Sequence, residues 1–356
     1  MASQPAEITL EVEPRARFDV IDINRRILDQ YGDVLRAFPR ALYFSYHTTA
    51  GYLEQRLAAR LSQRRDGVEP FIQVFKTLFP PEAGYRHDRL EEREELSEDQ
   101  RRQEPRNADS HLAFIGSGLK SCVTYHNRPD APVYFIDLDG VNFGRSRRRQ
   151  TSVIGYSRER VVERARLEIP VSTHPVDSVN LRDPRIGLFP DIEQRLARHG
   201  VGKGRVDIVL APGERQAGLT VNEFETLLMQ HDLAEVLHQP MRFLMEKTRN
   251  ALADPRGIPT RTLEYAKYDL VRVLNELFEA LGMEESLVER MVARMMAYPA
   301  SRFLRMKRAL SLLVTSAGAN GPGTIVQGTY QSPILVQWQK CERQARAVDV
   351  AITELT

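Results

Sequence analysis

The run Ala41-Leu42-Tyr43-Phe44-Ser45-Tyr46 leads directly into His47-Thr48-Thr49-Ala50-Gly51. Leu42, Phe44 and Tyr46 fall on one face, and Tyr43, Ser45 and His47 on the other, which is the period of a β-strand. Upstream, Glu7-Ile8-Thr9-Leu10-Glu11-Val12 alternates in the same way and predicts a second strand. Between them, residues 22–36 carry Ile23, Ile27, Leu28, Tyr31 and Leu35 at helical spacing, which predicts an amphipathic connecting helix.

Four later stretches share the polar character of the 47–51 turn: Gly84-Tyr85-Arg86-His87-Asp88, Asn107-Ala108-Asp109-Ser110-His111-Leu112, Gly116-Ser117-Gly118-Leu119, and Gly323-Thr324-Ile325-Val326-Gln327-Gly328-Thr329-Tyr330-Gln331. In this order they resemble the H-T-[ST]-A, Y-x-H-D, N-x-x-[AS]-H-[IL], G-x-S/T-L and G-x-[IL]-x-x-G-T-W-Q motifs of the YjbQ family, often labelled secondary thiamine-phosphate synthase. Tyr330 stands in place of the usual Trp, and Arg343 and Arg346 match the family's Arg-rich ending. The resemblance implies an α+β protein whose β-rich sandwich core is built from both chain ends, 1–125 and 320–356. A mixed, largely helical inserted domain would occupy 126–319. It departs from the family at Gln55 and Arg56, where an Asn-Glu pair is usual, which puts a carboxylate-dependent activity in doubt.

The same resemblance implies a homotrimer that joins a pyrimidine diphosphate to a thiazole phosphate, and it supplies a site. His47, His87 and His111 are too far apart in sequence for local spacing to gather them, and only the resemblance does so. Converging imidazoles suit a divalent metal, zinc above all, with an open position for water or substrate. Asp88 or Asp109 would accept the other ring N–H of a ligand histidine, with Asn107 beside them. Thr48, Thr49, Ser117, Thr329, Gln331 and Arg346 would bind the phosphate of a small phosphorylated substrate, stabilising the departing diphosphate. Turn chemistry at the glycines and threonines, and solvation of the arginines, explain the same residues without a ligand.

Composition bounds the alternatives. The 356 residues are 42% apolar and 28% charged, and 50 basic against 48 acidic residues leave a net charge of +2, which gives no general attraction to nucleic acid or membrane. Cys122 and Cys341 exclude a disulfide framework, and no signal pattern or apolar run of membrane-spanning length is present, so a cytoplasmic location is expected. Arg145-Ser146-Arg147-Arg148-Arg149 is the sharpest positive run, with no aromatic residue inside it to stack on bases, and it reads as a solvated turn. Phe135-Ile136-Asp137-Leu138-Asp139-Gly140-Val141 resembles the first motif of haloacid-dehalogenase-like phosphatases, with Asp137 as nucleophile, Asp139 as acid/base and Mg²⁺ alongside, but the remaining motifs are missing and an Asp/Gly-rich hairpin turn explains the same residues and is the preferred reading.

Within 126–319, residues 132–137, 150–156 and 205–210 read as strands. Thr220-Val221-Asn222-Glu223 has capping-box spacing. Helices are expected over an apolar stripe from Leu270 to Leu281 that stops at Gly282, and at 284–297 and 299–316, with Met291, Met295 and Met296 as core and 317–323 as a linker. Residues 88–106 read as a solvated, charged loop with room for helical content. Residues 133–156 and 330–353 echo each other, either as a duplicated hairpin or, the preferred reading, as two hairpins of similar composition. A non-enzymatic alternative makes the core a binding or assembly scaffold that recruits a protein partner through 126–319.

Overall fold

Each expected strand in the first 157 residues forms, in a computed structural model that describes residues 4–82, 85–92, 97–128, 131–173, 177–221, 308–316, 321–337 and 339–356. The order is β1 (Ala6–Val12), β2 (Asp19–Asp22), α1 (Ile23–Tyr31), β3 (Arg40–Ser45), β4 (Ala50–Gly51), α2 (Gln55–Arg60), α3 (Arg65–Leu78), α4 (Glu98–Gln103), α5 (Ala108–Gly116), β5 (Cys122–His126), β6 (Tyr134–Asp137), β7 (Val141–Asn142), β8 (Arg145–Ser146) and β9 (Arg149–Tyr156). Asp22 caps α1 by accepting the Arg25 backbone N–H at 3.1 Å. The helix stops at Gly32, whose φ of 67° a side chain disfavours, well before residue 36. Leu28 and Tyr31 are consequently exposed, and only Ile23 and Ile27 of α1 enter the core.

The remainder comprises β10 (Glu159–Pro170), β11 (Asp177–Asn180), α6 (Leu188–His199), β12 (Gly204–Leu210), β13 (Ala217–Thr220), β14 (Ala309–Thr315), β15 (Thr324–Val326), β16 (Ile334–Gln337) and β17 (Ala345–Leu355). The α+β class holds, but the assembly differs from a core split by an insertion. The sheet containing β1 and β3 has the order β1-β9-β3-β5, whereas the last strand, β17, lies in a second sheet of order β10-β17-β12-β14-β15. Residues 345–355 alternate in a way that suits either sheet, so their pattern carried no information about the partner.

Among the described residues, the two halves, 4–157 and 158–356, repeat one topology. The smaller sheets are β2-β6-β4 and β11-β16-β13, again in matching order. Register agrees as well: Tyr43 pairs with Val153 and Val123, and Ile208 with Val350 and Leu310. Val12 pairs with Arg149, and Ile169 with Arg346. The echo between 133–156 and 330–353 is therefore a duplicated unit, correcting the preference for chance similarity. One local expectation also changes. Residues 309–315 are a strand, with Leu310, Leu312 and Val314 buried on alternate positions. Thr220 closes β13, and the helix that its capping-box spacing predicts falls on residues outside those described. The helices expected over 270–297 and the Met291 to Met296 stripe lie outside the described residues. Among the described residues no helix is long and apolar enough to cross a membrane.

The halves meet through an apolar seam. Leu42, Phe44, Cys122, Ile154 and Tyr156 of the first half pack with Leu313 and Leu355 of the second, each at most 3% exposed. Polar contacts frame it: Arg205 donates to Thr124 Oγ1 at 2.8 Å, Arg40 pairs with Glu159 at 2.9 Å, and Lys203 with Glu7 at 3.2 Å. Partly exposed ion pairs of this kind add little, so the apolar contact carries the association. Phe44→Ala should cost about 3–5 kcal/mol, and Leu313→Ala about 2–5 kcal/mol, from opposite sides of the seam. Urea denaturation should show both halves unfolding in one transition shifted to lower denaturant.

Candidate functional site

The chemistry gathers where β6 runs out. Asp137 ends that strand fully buried, and Asp139 follows it, also fully buried. Arg149 at the start of β9 is 2% exposed and donates from Nε to Asp137 Oδ2 at 2.6 Å and from Nη2 to Asp137 Oδ1 at 2.8 Å. It also reaches the Asp139 carbonyl at 2.6 Å and Thr49 Oγ1 at 3.4 Å. Asp139 accepts from Asn107 Nδ2 at 2.7 Å, and its carboxylate is also bound by Asn142 and Arg147. The Asn142 amide and Arg147 flank the β7–β8 hairpin turn, so Asp139 anchors that hairpin.

The second element is the N-terminus of α5. Asp88 Oδ1 accepts the Ala108 backbone N–H at 3.0 Å, capping the helix from another segment and complementing its dipole. The same oxygen lies 3.0 Å from His87 Nδ1. His87 and His111 are buried with ring centroids 5.2 Å apart. In the first turn of α5, Asp109 pairs with Arg17 at 2.7 Å. Burial drives the Asp109 pKa up to about 6 despite Arg17, and the nearby Asp88 and Asp139 charges add to the rise. Lys76, whose ammonium sits 4.5 Å from the Phe18 ring, faces the same cluster and has its pKa lowered by burial. Among the described residues, Asn107 Oδ1 and Asp88 Oδ2 are buried acceptors with no hydrogen-bond partner, a cost that a donor-bearing ligand would remove.

The third element is the turn after β3. His47 is half-buried, and its Nε2 accepts the Gln150 backbone N–H at 2.7 Å, leaving Nδ1 as the N–H position. Desolvation, then Arg149 and Arg147, push its pKa down to about 3, so the ring is neutral across the physiological range. A neighbouring loop from the second half presses on this turn. Gln331 donates from Nε2 to the Ser45 carbonyl at 2.7 Å and to the His47 carbonyl at 3.0 Å.

The expected metal site fares differently. The Nε2 lone pair of His47 is already committed to a backbone donor, and among the described residues no group of three or more His, Cys, Asp or Glu side chains is arranged to hold a metal. Among the described residues, the donors present do not fit a resident zinc ion. Of the expected phosphate ligands, Thr49 is buried against Arg149, and half-buried Thr48 shares its turn. Thr329 is exposed on the second-half loop, and Gln331 is turned inward onto the His47 backbone. Ser117 instead donates to the Ala113 carbonyl at 2.6 Å at the end of α5. Arg346 is buried in the second half on Glu214. Asp137 has both oxygens engaged by Arg149, so it is no exposed nucleophile. Gln55 bonds the His126 backbone, while Arg56 is exposed.

Sequence reasoning missed Arg17 altogether and read Arg147 and Arg149 as a solvated turn. The available signal was the D-x-D turn at 137–139 followed by arginines on the next strand, a pairing of buried carboxylates with nearby cations. Residues 88–106 carry the helical content expected of them in α4, but they also include buried Leu90 and the inward-facing Asp88 rather than being solvated throughout.

No family model and no curated protein matches the chain. Among solved structures, a YbjQ-like protein of unknown function from Sulfolobus solfataricus is 16% identical, with a TM-score of 0.29, over 55% of this chain and 99% of that one. An uncharacterized conserved protein of the yjbq family from Clostridium acetobutylicum is 14% identical, with a TM-score of 0.24, over 53% of this chain and 98% of that one. A conserved hypothetical protein from Thermus thermophilus is 20% identical, with a TM-score of 0.23, over 54% of this chain and 99% of that one.

The two shifted groups act oppositely on stability. Asp109 has a folded pKa above its ordinary 3.8, so its contribution is greatest below that value and is lost as pH rises through about 6, up to about 3 kcal/mol. His47 is depressed from 6.5 to about 3, so its contribution is full above 6.5 and lost as pH falls towards 3. Between pH 4 and 6 the terms offset each other. Asp109→Asn should make stability rise more steeply with pH in that window, and His47→Gln should make it fall, as read by chemical denaturation at each pH.

Proposed function

We propose that the first half is an enzyme active site for a small phosphorylated substrate, with Asp109 transferring the proton. The observation that carries the reading is Asp109 itself, a carboxyl with a pKa of about 6 held 2.7 Å from Arg17 at the start of α5. A group poised near neutral pH can both take up and release a proton, as acid/base catalysis requires. Arg17 and Arg147 are each about one-third exposed, 35% and 33%, and offer N–H donors to an anion at the edge of the cluster. Asn107 Oδ1 and Asp88 Oδ2 supply the complementary acceptors for a hydroxyl or amine on the substrate. The substrate would thus be held by its anionic end on the arginines and by a donor group on the buried oxygens.

Membership of the YjbQ family is supported by the order of the sequence motifs, and it names a concrete transfer to assay first. The thiazole nitrogen of the thiazole phosphate would form a C–N bond to the methylene carbon of the pyrimidine diphosphate as that carbon's bond to diphosphate breaks, with Arg147 stabilising the released diphosphate electrostatically and Asp109 able to protonate it. The family's homotrimer belongs to the same proposal.

The test follows diphosphate release from that substrate pair by ³¹P NMR, beside a calorimetric titration with pyrophosphate. Wild type should bind pyrophosphate and release it in turnover. Arg147→Gln should weaken binding about tenfold or more, as expected for a lost charge-assisted hydrogen bond. Asp109→Asn should keep binding and lower kcat by about 10²–10⁴-fold. Binding without turnover would move the reading to another phosphorylated substrate, whereas a wild type that ignores pyrophosphate would sink it.

A further inference from the structure

The duplicated halves do not treat their equivalent turns alike. In the first half the turn between β3 and β4 is Tyr46-His47-Thr48-Thr49, and in the second the turn between β12 and β13 is Ala211-Pro212-Gly213-Glu214-Arg215-Gln216. Matched registers make Arg346 the counterpart of Arg149, and Gln337 the counterpart of Asp137. The geometry is preserved: Arg346 reaches the Gln339 carbonyl at 2.6 Å as Arg149 reaches that of Asp139. The charge is not. Gln337 is neutral and accepts from Arg346 at only 3.2 Å, so the countercharge comes from Glu214 in the turn itself, at 2.9 Å. Glu214 is buried and also accepts from Arg343 at 2.7 Å and from the Ala347 backbone N–H at 3.1 Å. The second turn is therefore closed onto its own half by a carboxylate that an incoming anion would have to displace.

The loops preceding the inner strands show the reverse asymmetry. In the first half Asn127, between β5 and β6, bonds back onto its own half, donating to the Leu35 and Phe38 carbonyls at 2.6 and 2.9 Å. The equivalent loop before β16 crosses the seam. Gln331 clamps the Ser45 and His47 carbonyls, and its Oε1 accepts the Gly328 N–H at 2.9 Å, which locks the loop in the clamping shape. Gly328 approaches so closely that a Cβ there would lie 1.7 Å from the Tyr46 carbonyl oxygen, so only glycine permits the contact.

We propose that the two halves have divided their labour: the second half binds no anion of its own and instead supplies the Gly328-to-Gln331 loop as the positioning element for the His47 turn, so that each chain carries one site completed across the seam. Gln331 is a positioning residue, acting through the backbone of residues 45–47. The binding arm of this inference rests on the anion-site reading above, and the positioning arm does not.

Both arms use the full-length chain. Hydrogen exchange is followed for wild type and Gln331→Ala in peptides spanning 46–52, with β1 and the strands of the second half as internal controls. The expected result is exchange about tenfold faster in 46–52 alone, the size of two lost hydrogen bonds. Unchanged exchange there, or an equal rise everywhere, overturns the positioning role. Titration with pyrophosphate should give one site per chain, weaker by about tenfold in Gln331→Ala and by about tenfold or more in Arg147→Gln. Two sites per chain, or a remaining full-affinity site in Arg147→Gln, overturns the division of labour. A wild type that binds no pyrophosphate while Gln331→Ala still frees 46–52 counts against the anion site and supports the clamp.

Discussion

The buried pair between Arg149 and Asp137 is the constraint on which the first half turns. It ties the first residue of β9, in the main sheet, to the last residue of β6, in the smaller one. Both charges are almost wholly out of water, a state that costs several kcal/mol per ion unless the geometry and remaining hydrogen bonds are satisfied. Here they are, through a two-point contact and the Asp139 carbonyl. That carbonyl contact fixes the turn after β6, and the turn presents the Asp139 carboxylate to Asn107, Asn142 and Arg147. The site is thus a consequence of how one arginine is neutralised.

The second half solves the same problem with a different charge. Its arginine stays, the strand-end carboxylate becomes Gln337, and Glu214 moves in from the turn. A duplicated unit is free to make such an exchange because only one copy need keep an open turn. The seam then gives the altered copy a use. The apolar contact around Phe44 and Leu313 brings the Gln331 loop within hydrogen-bonding reach of the strand that carries His47.

The elements with strong local signals were legible. β1 and β3 follow from period-two alternation, β9 and β12 from β-like apolar runs, and the start of α1 from Asp22. Asp88, Asn107, Asp109 and His111 were recognisable as a group through motif order, and Gln331 was correctly linked to His47. Arg149 was misread because a run of arginines looks solvated until a buried carboxylate is known to face it. The end of α1 was misplaced because Leu35 keeps helical spacing even though it belongs to a separate 3₁₀ turn, Val34–Ala37.

By itself, the sequence determined that the protein is α+β and where strands such as β1, β3 and β12 lie, since periodicity resides in neighbouring residues, while the order of its motifs, through the family resemblance, grouped His47 with the polar residues of α5. Only the tertiary structure decided that β17 joins β10 and β12, that the chain is two copies of one topology, that His47 is neutral and committed at Nε2, and that Asp109 titrates near 6. Those properties depend on strand partners and desolvation set by residues far away in the chain, and a β-strand's pattern states which face is buried without stating against what.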